Sequence, residues 1–371
     1  ARSESRSEAD SPFQISEGVE PMRSLAVWTT TAAVALMGVA NAQTAPAADA
    51  SAQSTDLRTA INAYAAYQSD VGELRATTPR DANTLEAAID RVAHHNRDAL
   101  TRGWIAYGAQ TAAQSQAYVQ GVRDAAAYYG RDAVIWAVTV DPSYARGLRG
   151  GNEATRLMLD SAQADSQRII SVADRYQEYA YSVQRQRWAN SVAPQQAQRV
   201  QRVRNLAREG APASAVPAEY AARFNVTPVS LSPASDPTIY GGRRFWDALR
   251  GGTEVVEVAS TPTQTRVNAT RGEALDRMAA VAALQALDAT DANQSAVTRL
   301  ISDPRSRDCF EMAQLQLYQC MSAARFRYEN AFCMGQHGLR DIGACIGAVG
   351  QPDATAMTPI TTPSGHPGGR D

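Results

Sequence analysis

From Asn152 to Val192 the chain contains neither proline nor glycine, and Leu157, Ala164, Ile169, Val172, Ala173, Tyr176, Ala180 and Val183 recur at helical steps. A helix over that stretch would be about 60 Å long at 1.5 Å per residue, and its apolar stripe must be covered by other helices. The chain before it agrees. From Asp56 to Glu209 alanine, leucine, glutamine and arginine dominate, and prolines are few. Asp81, just after Pro79, is placed to cap a helix carrying Leu85, Ala88, Ile89 and Val92. Ser115 to Tyr129 sets Tyr118, Val122, Ala125, Ala126 and Tyr129 on one side before Gly130. Arg131 to Val140 is more apolar and β-branched, and its helical neighbours argue for helix over strand. After Pro194, Gln195 to Glu209 carries Val200, Val203, Leu206 and Ala207 on one face until Gly210 stops it.

Residues 210–242 hold five prolines and no sustained period, which reads as a connection at a domain or subdomain boundary. Beyond it the pattern predicts a short helix around Arg243 to Leu249, an extended piece at 253–260 (TEVVEVAS), and helices over Arg271 to Leu287 and Asn293 to Ser302. Residues 351–371, rich in Pro, Thr and Gly, are expected to be a disordered tail. The predicted fold class is all-α: a long-helix bundle over 55–209, followed by a smaller disulfide-stapled helical region over 243–350.

At the other end, Met22-Arg23, the apolar run Leu25 to Val39 and the small-residue exit Ala40-Asn41-Ala42 have the three parts of a secretory signal peptide. The reading assigns 22–42 to that leader, 1–21 to an upstream extension, and the first mature residue to Gln43. No later apolar run reaches the about 18 residues of a membrane span, so no transmembrane segment is expected in the mature chain. Export to the periplasm or beyond places the four cysteines in an oxidising compartment.

Charge narrows the functions available. Removing the leader's three arginines and five carboxylates from the 36 basic and 38 acidic residues leaves 33 of each. A balanced chain lacks the positive excess that a dedicated nucleic-acid binder needs to release counterions. All 36 basic residues are arginine. Without lysine there is no Schiff base, no Ser-Lys pair and no P-loop lysine.

Cys309, Cys320, Cys333 and Cys345 follow one another at 11, 13 and 12 residues, with none of the short gaps of zinc ribbons or redox motifs. Cys309 and Cys320 are about 16.5 Å apart along one helix and cannot bond each other. Two antiparallel helices would pair Cys309 with Cys345 and Cys320 with Cys333. The crossed set, Cys309 with Cys333 and Cys320 with Cys345, remains an alternative. At about 100° per residue Cys309 and Cys320 share a face, whereas Cys333 and Cys345 differ by about 120°. The second helix is therefore expected to break, with Gly335, Gly338 and Gly343 as the places to do so.

Glu86, Asp90, His94 and Asp98 recur every four residues and would line one helix face as a weak metal-binding stripe. Arg91 and Arg97 beside them favour a solvated, ion-paired face instead, and no second Glu-x-x-His supports a two-metal bundle. No metal or other cofactor is favoured. Nucleophilic catalysis would have to use His94, His95 or His337, and G-x-S-x-G is absent. Glu73, Glu86, Glu153 and Glu178 are the carboxylates available for acid–base work on a cell-wall glycan.

Arg185, Arg187, Arg199, Arg202, Arg204 and Arg208, with Trp188, form an acid-free basic stretch suited to docking a protein or an anionic envelope component. Together these features point to an exported envelope protein with a structural, scaffolding or partner-binding role. The alternatives are a carboxylate-dependent glycan enzyme and a metal- or small-ligand-binding protein.

Overall fold

The computed structural model describes residues 55–193, 195–211, 246 and 266–351. The expected upstream extension and leader, most of the proline-rich connection, the short helix around Arg243 to Leu249 except Trp246, the extended piece at 253–260 and the tail beyond Gln351 lie outside the described residues.

The described chain is all-α. Helices α1 (Thr55–Ala76), α2 (Ala82–Ala93), α3 (Arg97–Ala112), α4 (Gln116–Tyr129), α5 (Arg131–Val140), α6 (Pro142–Gly147), α7 (Gly151–Val183) and α8 (Gln196–Glu209) precede the connection. After it come α9 (Glu273–Ala286), α10 (Gln294–Ile301) and α11 (Pro304–Ala323). The last hairpin arm is α12 (Arg327–Cys333), a π-helical segment (Met334–Arg340) and α13 (Asp341–Gly347). Arg266–Val267 pairs antiparallel with Gly350–Gln351 in a two-residue ladder, a minor addition to the helices.

Local chemistry accounts for the helix ends. Asp81 accepts the Thr84 backbone N–H at 2.8 Å while the Thr84 hydroxyl oxygen accepts the Asp81 N–H at 3.1 Å, a reciprocal cap on α2. Ser115 caps α4, accepting from the Tyr118 N–H at 3.1 Å, and Gly130 and Gly210, at positive φ, follow α4 and α8. Tyr118 and Val122 of α4 are buried as the pattern predicts, but Tyr129 is exposed.

The long helix is shorter than its sequence pattern. α7 spans 33 residues and ends at Val183, because the backbone of the next stretch is used elsewhere. The Ala193 N–H donates to the Arg325 carbonyl (2.9 Å), while Ser191 and Ala189 carbonyls accept from Arg327 (3.3 Å) and Tyr328 (3.2 Å). These bonds anchor the start of α12, and Arg185, Arg187 and Trp188 consequently sit in a turn after α7.

Helices from both sides of 210–242 share one core. α3 packs against α1, α7, α9 and α11, and α9 reaches α6 as well. The alanine-rich face of α9 is wholly buried from Ala279 to Leu284, and its Ala279 carbonyl accepts the Tyr118 hydroxyl at 2.9 Å. At Gly103 a Cβ would collide with the Ala60 carbonyl and come within 2.8 Å of the Tyr64 nitrogen, so only glycine lets α3 approach α1 this closely. A buried polar network ties α1 to α7. Asp165 accepts from the Tyr64 hydroxyl and the Trp246 indole, each at 2.7 Å. Arg168 donates to the Gln68 carbonyl (3.0 Å) and side-chain oxygen (2.6 Å).

The cysteines form the nested ladder: Cys309 with Cys345 and Cys320 with Cys333, at Cα separations of 5.9 and 5.6 Å. The second arm is not broken, however; it is under-wound. Its seven π-helical residues each turn roughly 18° less than an α residue, which removes about 120° of rotation and returns Cys345 to the face of Cys333. Loop-closure entropy sets what the bridges contribute. Cys320→Ala with Cys333→Ala, which opens a 13-residue separation, should lower unfolding free energy by about 3 kcal/mol. The Cys309–Cys345 bridge, with a separation of 36, should contribute about 4 kcal/mol. Urea denaturation of the two double variants measures both values.

Candidate metal centre

Near its C-terminal end α1 is buried without interruption from Tyr64 to Gly72, which carries Gln68, Ser69 and Asp70 into the core along with Tyr67 and Val71. A carboxylate at Asp70, 4 % exposed, must be matched by donors there. They arrive from the corner between α2 and α3. His94 closes α2, its N–H bound to the Asp90 carbonyl at 3.1 Å. Asn96 is extended and caps α3, its side-chain oxygen accepting the Ala99 N–H at 3.0 Å.

In a continuous helix adjacent side chains point about 100° apart and cannot converge. The corner at 94–96 removes that restriction. His94 Nε2 lies 2.9 Å and His95 Nε2 2.8 Å from the same Asp70 Oδ2, and the two nitrogens are 3.2 Å apart. The other oxygen, Asp70 Oδ1, accepts from Arg91 Nη1 at 2.9 Å. The Tyr67 ring meets His95 edge-on, with centroids 5.1 Å apart.

Burial alone would raise the pKa of Asp70, but the hydrogen bonds from His94, His95 and Arg91 together outweigh it and hold the carboxyl well below the usual range. His95 is pushed down to about 4, chiefly by burial, against the pull of Asp70. At neutral pH it is an uncharged imidazole, the form in which histidine binds metal.

The three atoms suit an ion. Ligands about 2.1 Å from a first-row metal and at right angles to one another stand about 3.0 Å apart, close to the 2.8, 2.9 and 3.2 Å edges of this triangle. Asp70, His94 and His95 form a group of metal-compatible ligands all within 4.8 Å. Arg91 would serve as the outer partner that fixes the carboxylate.

The stripe expected from the four-residue spacing is not formed. Glu86 and Asp90 both turn to Arg202, Glu86 at 3.8 Å, while Asp98 lies beyond the corner on α3 and pairs with Arg102 at 2.7 Å. Only His94 of that set reaches the centre. Arg97, expected as a surface ion-pair partner, is instead buried, and its three guanidinium nitrogens have no hydrogen-bond partner. Asp70 escaped the sequence pattern because it lies 24 residues before His94 on another helix. The available signal was His94-His95-Asn96: an Asn before Arg97-Asp98-Ala99-Leu100 is an N-cap pattern, and it breaks the helix at the histidines.

The other candidates lie apart from this centre. The Arg stretch is split over two faces of α8: Arg199 and Arg202 turn toward α2, whereas Arg204 stacks over Tyr318 at 5.2 Å, one turn from Arg208. Arg185 and Arg187 are exposed, and the Trp188 indole donates to Gln186 at 2.7 Å. Glu153 accepts from Ser115 at 3.0 Å, and Glu178, about 37 Å along α7 from it, borders a groove beside Thr78 and Tyr179. Glu73 remains on α1, one turn beyond Asp70. His337 of the π-helical segment bonds Asp341, the first residue of α13, at 2.7 Å.

Comparison with protein-family models, curated proteins and solved structures finds no match to the chain.

The electrostatics fix an acid response. The folded His95 value of about 4 lies below the free histidine value, so between about pH 6.5 and 4 the unfolded chain binds the proton first. Stability is full above that window and falls by roughly 3 kcal/mol as pH drops through it. The depressed Asp70 carboxyl adds a further loss at lower pH. Urea titrations of the metal-free protein from pH 7.5 to 4.5 should show this slope, and His95→Gln should flatten it.

Proposed function

We propose that this chain is an exported, disulfide-stapled helical protein that binds a divalent first-row transition metal through Asp70, His94 and His95. The observation that carries the reading is the convergence of two imidazole nitrogens and one carboxylate oxygen from separate elements on a triangle of ligand-sized edges. Two imidazoles favour zinc, cobalt, nickel or iron over calcium and magnesium, which select oxygen. Export is supported by two disulfides and no free cysteine among the described residues, the pattern of an oxidising compartment. No helix among those residues is long and apolar enough to cross a membrane.

Calorimetric titration of the chelator-treated protein should give one equivalent of zinc or cobalt and no comparable uptake of magnesium. Asp70→Asn and His95→Ala should each weaken binding by at least the roughly 10–100-fold that loss of even an outer partner costs. Affinity equal to the parent's in both variants would remove these residues from the site.

A partner-binding role is favoured by a different observation. Tyr128 and Tyr129 stand exposed at the end of α4, and Trp136 and Val140, one turn apart, stand exposed along α5, exposed aromatic area of the kind that anchors protein interfaces. The reading takes the partner as a protein, since the arginines do not form one continuous anion-docking face. Trp136→Ala with Tyr128→Ala should leave the unfolding free energy within about 0.5 kcal/mol of the parent, as expected of surface positions, while abolishing co-purification of a specific envelope protein. Identical co-purifying proteins from parent and variant would exclude this surface.

A further inference from the structure

We infer that the metal at Asp70, His94 and His95 is taken up together with a small chelating oxyanion, which completes its coordination and supplies negative charge that the chain lacks. The inference rests on the metal reading above and adds the class of ligand.

Coordination is the first argument. First-row ions take four to six donors, and among the described His, Cys, Asp and Glu side chains three ligand atoms converge on the centre. The ligand triangle lies to one side of the position an ion would take, so the remaining sites fall to solvent or an added ligand. His94 and Arg91 mark the way in. Their side chains are 18 % and 44 % exposed, against 6 % for Asp70 and 3 % for His95.

Charge is the second and stronger argument. Asp70 provides one negative charge, and its second oxygen is held by the positive Arg91. Arg97, two residues after His95, is 2 % exposed and has no hydrogen-bond partner on any guanidinium nitrogen. The phenols of Tyr67 and Tyr318 act on its charge. Asp90, the acid one turn before His94, is matched by Arg202. A divalent ion added to Arg91, Arg97 and one carboxylate leaves three positive charges in excess. Such an excess is costly at a buried site, where charges are weakly screened. A monodentate anion offsets one charge and fills one position. A dianionic chelate such as a small dicarboxylate offsets two, fills two positions, and suits the planar fork of an arginine.

The test uses the intact protein loaded with one equivalent of cobalt(II), freed of excess metal and titrated with oxalate. Cobalt absorption and the cobalt retained after dialysis are recorded. The expected result is a saturable spectral change with cobalt still bound, and an oxalate Kd raised about tenfold or more in Arg97→Met. Arg97→Lys, which keeps the charge, should stay nearer the parent. Replacing a buried unpaired charge by an apolar chain of similar size is commonly neutral or stabilising, and circular dichroism verifies the fold. Should both variants fail to fold, the parent titration decides alone. Cobalt stripped by oxalate without a ternary spectrum overturns the inference, as does an oxalate affinity equal in parent and Arg97→Met. Cobalt bound tightly with no oxalate response overturns this inference and leaves the metal reading standing. Failure to take up cobalt both without and with oxalate overturns both.

Discussion

Helix α3 lies among α1, α7, α9 and α11, so every residue from Gly103 to Ala112 must be set against another helix. That constraint explains the residues chosen there. Gly103 lets the α1 backbone approach, and Ala106, Ala109 and Ala112 keep the remaining contacts short. The buried threonine hydroxyls are satisfied within the helix: Thr101 donates to the Arg97 carbonyl at 2.8 Å and Thr111 to that of Tyr107 at 3.2 Å. Because α9 covers α3 from the far side of the proline-rich connection, neither half of the chain completes its core without the other.

The position of α3 also determines the centre. Its N-cap, Asn96, must turn the chain out of α2, and that turn aims two consecutive histidines at one oxygen. Asp70 is then the point where α1 meets this corner, and its ionised state depends on donors from α2 and the turn together. The buried His95 is held neutral by the loss of solvent around it, against the pull of Asp70, whereas Asp70 is held charged by the donors that surround it.

Much of the helical frame was legible in the sequence, and the reasons are local. Asp81, Ser115, Gly130 and Gly210 announce helix ends through groups within a few residues of one another. The cysteine spacing favoured the nested pairing, which is the one formed, because axial rise is a one-dimensional quantity, but left the crossed pairing open. What escaped was non-local. The end of α7 depends on bonds to residues more than 130 positions later, and the burial of Arg97 depends on neighbours drawn from α1 and α11. The centre was half visible: His94 and His95 stood out by their rarity, whereas Asp70 is one of many acids and gains its role only from the α2–α3 corner.

The π-helical segment between Cys333 and Cys345 has a mechanical meaning. With Cys309–Cys345 closed, the arm cannot rewind to α geometry without carrying Cys345 about a third of a turn away from its partner. The bridge therefore acts as a pawl on the winding of the helix. The winding, in turn, keeps the sulfurs within reach, so the oxidation state of one cysteine pair and the register of seven residues are a single degree of freedom.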